Sequence, residues 1–137
     1  MESYYRIFRK YLQSRNVIFT DIESDILMME YRGEAMEKTP LLVHIPTDET
    51  EKCLLICPEV VKIIPEVLPE ALKIVNLMNK CAPVANIHID DDNAVVVTCC
   101  VPLHREYFCE DIMKTLRYLA EAADGTYMQF QEEMELE

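Results

Sequence analysis

The chain has 137 residues and a mass of 16.0 kDa, room for one domain rather than two, and a single domain over residues 1–137 is expected. Half of the residues are hydrophobic and 28% are charged, so a core can form and a wholly disordered chain is excluded. The formal net charge of -12, from 25 acids against 13 bases, repels phosphate and excludes duplex nucleic acid as the default partner.

The opening residues, MESYYR, do not form a signal peptide, because Arg6, Arg9 and Lys10 interrupt the apolar run that one needs. No stretch approaches the ~18 apolar residues of a membrane helix. A soluble, cytoplasmic protein without a membrane partner is expected. Residues 3–14 place Tyr4, Tyr5, Phe8, Tyr11 and Leu12 at helical spacing. Residues 1–16 hold four bases and one acid, the only basic segment, and it reads as a solvated helix face.

Three strand-like runs follow. Residues 26–31 (ILMMEY) end at the turn Arg32-Gly33-Glu34, residues 41–45 (LLVHI) end at Pro46, and residues 53–57 (CLLIC) end at Pro58. Short spacers between them predict an antiparallel meander, with residues 17–19 as a further short extended piece. Pro58, Pro65 and Pro69 break the apolar stretch 58–69 into a packed loop with one helical turn. A helix is predicted over 69–81, with Pro69 at its start and Ala71, Leu72, Val75, Met78, Cys81 and Ala82 on one stripe.

Residues 84–89 and 94–101 form the clearest hairpin, joined by Asp90-Asp91-Asp92-Asn93. Ala85, Ile87 and Ile89 alternate with Asn86 and His88, so one face of the first arm is wet. The second arm, AVVVTCCV, is apolar on both sides and should lie centrally or be covered twice. A last helix starts near 106–109, with Phe108, Ile112, Leu116, Leu119 and Ala123 on one face and Glu110 and Asp111 in its first turn. Gly125 ends it or kinks it. The acidic end, QEEMELE, is expected to fray.

The architecture read from these elements is α+β: an antiparallel sheet of about five strands in the order α-βββ-α-ββ-α, with helices packed on the sheet. The stretch ALKIVNLMNKCAPVANIHIDDDNAVVVTCCVPL, followed by EDIMKTLRYLAEAADGTYMQF, gives a helix with Asn76 and Asn79 near its end, a hairpin with an acidic turn and an apolar C-terminal helix. With the N-terminal helix and ILMMEYRGE, this order resembles the YbjN family, whose fold is similar to that of type III secretion chaperones. The resemblance covers most of the chain and implies a secretion chaperone-like domain. Proteins of this kind have been described as sensory-transduction regulators or chaperone-like factors. No agreed catalytic residues come with the family, so none are carried over.

Catalytic signatures are sparse. The two glycines, Gly33 and Gly125, cannot build a phosphate-binding loop. None of the serines, Ser3, Ser14 and Ser24, sits in a nucleophile elbow. Cys53, Cys57, Cys81, Cys99, Cys100 and Cys109 contain no C-x-x-C spacing and read as reduced core thiols rather than zinc ligands. Cys53 and Cys57 should share one sheet face, and Cys99 and Cys100 should face opposite ways. His44 and His104 read as surface or structural histidines, and a Cys100–His104 pair is the one nucleophile arrangement their spacing brings to mind. The methionines read mainly as core filling.

Two functions from different classes fit. The first is a non-enzymatic protein- or peptide-binding module, chaperone-like or a regulatory adaptor, acting as a homodimer and needing no cofactor. Its expected partner face comprises Tyr4, Tyr5 and Tyr11 on the first helix and Asn86 and His88 on the sheet, with strand edges or a helix groove as recognition modes. The homodimer rests on the two doubly apolar strands. The second is a metal- or thiol-dependent activity at the 86–100 hairpin. It requires His88, Asp90 and Cys99 or Cys100 to converge, and His88, Asp90 and Asp92 are its best metal candidate, although Asp90 and Asp92 are also ordinary hairpin-turn residues.

Overall fold

The computed structural model describes residues 3–47 and 51–134. Its first helix, α1 (Tyr4–Ser14), is capped by Ser3, whose side chain accepts the Arg6 N–H at 3.2 Å. Tyr5, Phe8 and Leu12 lie on its buried stripe. Asn16, with φ of 56°, turns the chain out of the helix, and Val17 N–H returns to the Leu12 carbonyl at 3.0 Å.

Four antiparallel strands follow: β1 (Thr20–Glu23), β2 (Ile26–Tyr31), β3 (Thr39–His44) and β4 (Lys52–Cys57). A 3-10 turn (Pro65–Val67) leads into α2 (Leu68–Cys81), then β5 (Asn86–Ile89), β6 (Val95–Pro102) and the long α3 (Phe108–Met134). The strands form one six-stranded sheet in the order β1-β2-β3-β4-β6-β5, antiparallel throughout. The α+β class and the meander are as the sequence implies, with one strand more. Residues 17–19 are spent on leaving α1, and the extended piece predicted there forms three residues later, as β1.

Burial alternates along β2, β3 and β4 and along β6 from Val97 to Val101, because successive side chains of a strand point to opposite faces. Leu27 and Met29, Leu41 and Val43, Cys53, Leu55 and Cys57, Ile87, and Val95, Val97, Cys99 and Val101 all point to one side, where they are buried. They share one core with the buried stripes of the three helices. Cys53 and Cys57 share this face, and Cys99 lies on it while Cys100 is exposed, as period two demands.

Three local expectations shift. The buried stripe of α2 is Ala71, Ile74 and Val75, while Leu72 and Cys81 are exposed. Either of two overlapping apolar faces satisfied the helical period, and packing against β5 and α3 selects the one through Ile74. The Pro-rich loop is pinned to the start of β6: Val60 N–H reaches the Val95 carbonyl at 2.9 Å and Val95 N–H the Val61 carbonyl at 2.8 Å. Finally, α3 runs straight through Gly125, and its buried Ile112, Leu116, Leu119, Ala123, Thr126 and Phe130 keep one face beyond it. Residues 131–134, expected to fray, are helical, and the rest of that acidic end lies outside the described residues. No helix among the described residues is long and apolar enough to cross a membrane.

Candidate protein-binding face

All helices lie on one side of the sheet, so its other side is open. The cross-strand register builds one row across all six strands: Thr20, Met28, Leu42, Ile56, Thr98 and Asn86. A second row holds Ile26, His44, Leu54 and Cys100. The six-strand row contains no Asp, Glu, Lys or Arg, although 28% of the chain is charged, while the second row meets Glu23 at its β1 end, opposite Ile26. Met28, Leu42, Leu54 and Ile56 are half-buried by neighbouring strands and form the apolar centre. Hollows flank that centre. One of 430 Å³ is lined by Leu54, Asn86, Thr98 and Cys100 among others, and one of 400 Å³ by Ile18, Phe19, Thr20 and Met28 among others.

The sheet edges are less available than the face. On α2, the Asn79 side-chain amide donates to the Ile87 carbonyl at 2.9 Å and accepts the Ile87 N–H at 2.8 Å. Backbone groups of β5 that would have welcomed another strand are thereby occupied. At the opposite edge β1 is four residues long and irregular in register between Asp21 and Glu23, two devices that blunt an edge.

The residues expected to share a partner face fall on opposite sides of the sheet. Asn86 and His88 are exposed on the open side, with His88 Nδ1 at 3.3 Å from Asn86 Oδ1. The α1 tyrosines belong to the helical side and fasten α1 in place. Tyr5 is buried and donates to Asp21 Oδ1 at 2.8 Å. Burial first, and then this bond to a carboxylate, pushes its phenol up to about 12. Arg9 adds Nη2 to Asp21 Oδ2 at 2.8 Å. Arg9 and the Tyr5 hydroxyl together hold the Asp21 carboxyl below its ordinary value. Tyr4 meets Phe108 edge to face at 5.2 Å. Tyr11 stacks on Phe8, and the Arg15 guanidinium lies 3.8 Å from its ring centre. A tyrosine stripe at helical spacing reads the same whether it meets a sheet or a partner; here Tyr5 meets the sheet, while Tyr4 meets α3 and Tyr11 packs within its own segment.

The hairpin residues do not converge. The Asp90 carboxylate accepts the N–H groups of Asp92 and Ala94, both at 2.9 Å, and Asn93 takes φ of 62°, so Asp90 serves its own turn. Cys99 points into the core, and Cys100 lies on the open side beside Leu54, two rows from His88. Among the described residues no three His, Cys, Asp or Glu side chains group as metal ligands. His44 Nε2 meets Asp25 Oδ2 at 3.0 Å, and His104 is exposed.

Four thiols are core fillers and two are not. Burial raises Cys53 and Cys57, the latter to about 12, and raises Cys99 and Cys109 to about 11. Cys81 and Cys100 are exposed, contrary to the reading of all six as core. Ellman's reagent on the native protein is therefore expected to titrate Cys81 and Cys100 quickly and the other four only in denaturant. Fast modification of Cys53 or Cys99 mapped by mass spectrometry would contradict the burial.

A second feature was not anticipated. The Asp124 carboxylate, buried on α3, accepts backbone N–H groups from Glu34 at 3.0 Å, Ala35 at 3.1 Å and Met36 at 2.8 Å. It thereby latches the β2–β3 turn onto the helix. Gly33 gives this latch its room, for a Cβ there would collide with the Asp124 carboxylate. The only sequence trace is the pair of lone glycines, one in the turn and one directly after Asp124.

No protein-family model and no curated protein matches the chain. Solved structures do. YbjN from E. coli, a proposed transcription regulator, superposes with a TM-score of 0.69 at 12% identity, covering 94% of this chain and 92% of that one. An uncharacterized protein from Methanothermobacter thermautotrophicus gives 0.66 at 11% identity, covering 94% and 97%. Helices on one side of an antiparallel sheet, in the same order over nearly the full length of both, are thus a shared architecture, and the chain has the fold of YbjN.

Proposed function

We propose that this chain is a non-catalytic protein-binding module of the regulatory or chaperone-like kind, working in the cytoplasm as a homodimer through its open sheet face. One observation carries the reading. The helix-free side of the sheet presents Met28, Leu42, Leu54 and Ile56 as an apolar centre, three of them in a six-strand row without Asp, Glu, Lys or Arg, on a chain of net charge -12. Two such chains repel each other wherever their acids face, so an uncharged apolar strip is where copies approach at least cost. Two sheets meeting this way would pack as a sandwich. The similarity to a proposed transcription regulator supports a regulatory role. Given the acid excess, that role would be exerted through proteins rather than through DNA phosphates.

Light scattering tests this directly. The wild type is expected to run at twice 16.0 kDa at high micromolar concentration. The double variant Leu42→Glu/Ile56→Glu, with unchanged circular dichroism, is expected at 16.0 kDa. A wild type that stays at 16.0 kDa throughout would remove the homodimer. The module itself would then stand only if a photo-crosslinker at position 56 captured one discrete protein in host extract while one at Lys73 on α2 did not.

A further inference from the structure

Between the β2–β3 turn and the middle of α3 lies a cavity of 580 Å³, well within the size of small-molecule sites. None of its lining residues belongs to the open-face rows, so it is independent of the reading above. Arg32 and Arg117 both line it. Neither guanidinium has an ion pair among the described residues, in a chain with 25 acids to 13 bases. Tyr31 stands in the same wall, close enough to Arg117 to feel its charge, and its hydroxyl has no hydrogen-bond partner among the described residues. Three unengaged donors therefore surround one space, while Ala120 and Met128 supply an apolar wall.

The acids at the cavity limit what it takes. The Asp124 carboxylate is engaged by three backbone N–H groups of the β2–β3 turn, which occupy its oxygens on that side. Glu34 and Glu121 stay at the lining and disfavour a second negative charge. We propose that this cavity binds a small organic monocarboxylate, its carboxylate between Arg32 and Arg117 and its apolar body against Tyr31, Ala120 and Met128. Guanidinium groups suit a carboxylate because their paired N–H groups match its two oxygens.

The chain carries its own reporters, since its two glycines, Gly33 and Gly125, both line the cavity. In a nitrogen-15 NMR titration, phenylacetate is expected to move both glycine amide signals saturably. Its uncharged analogue 2-phenylethanol is expected to leave them in place. Arg117→Gln and Arg32→Gln change exposed side chains and should fold normally, yet each should weaken phenylacetate by about tenfold or more. Saturation by 2-phenylethanol at the same concentrations, unchanged affinity in both arginine variants, or glycine signals that never move with phenylacetate would each overturn the assignment.

Discussion

Gly33→Ala is expected to cost the fold about 3 kcal/mol, while Gly125→Ala should stabilise it by up to about 1 kcal/mol. The two glycines occupy one corner of the molecule for unrelated reasons. Gly33 does not have a positive φ; what it provides is space, because a methyl group there collides with the Asp124 carboxylate. Relieving the collision means drawing the carboxylate away from the N–H groups of Glu34, Ala35 and Met36. Charge-assisted bonds of this kind are worth more than neutral ones, and water at the half-exposed turn recovers only part of the loss. Gly125 lies inside α3, and a methyl group there would meet nothing within 4 Å, so only the helix propensity gain remains. Urea midpoints at constant slope would measure both. The double variant Gly33→Ala/Asp124→Ala supplies the decisive comparison. With the carboxylate gone, the alanine at 33 has nothing to strike, and the double variant should be about as stable as Asp124→Ala alone. Simple additivity would show that the latch does not explain Gly33.

Phe130→Ala is expected to be the most damaging single change, at about 3–5 kcal/mol. Phe130 is among the largest fully buried side chains, and it sits beyond Gly125 in the last turns of α3. A helix ending at Gly125 would leave position 130 in a tail, where truncation to alanine costs little. A continuous α3 makes the same truncation a core cavity. The loss is a large share of the total stability of a domain this size. Thermal melts of Phe130→Ala beside Met128→Ala, an exposed neighbour on the same helix, separate the two cases. Equal melting temperatures would mean that the last turns do not belong to the core.

Much of this fold is readable where period and burial agree. The rows 26–31 and 53–57 alternate cleanly, and Cys99 and Cys100 divide between the faces as any adjacent pair in a strand must. Asn86 and His88 announce a wet face because Ile87 between them is apolar. Other parts carry no such signal. All four residues of β1 are exposed, so Thr20–Glu23 shows no apolar alternation at all. Leu72 and Ile74 are both apolar, and only the packing of α2 decides which turns inward. The Asp124 latch joins residues 88 to 90 positions apart, a relation that no local window contains. The open face needed the register of all six strands, because its uncharged row takes one residue from each.

Strand order also has a consequence for how the protein is made. Because β6 lies between β4 and β5, the meander leaves the ribosome with KCLLIC as an unpaired apolar border. Its proper neighbour begins only at Val95, and synthesis at about 5–20 residues per second makes the wait one of seconds. During that interval the nascent chain offers a ready template to any other extended segment. Lys52 at the head of β4 and the like charge of neighbouring nascent chains oppose such pairing. The interval closes when β6, the hairpin partner of β5, becomes available to pair with the waiting border. A translational pause between the two strands would therefore favour aggregation more than the same pause placed after Pro102.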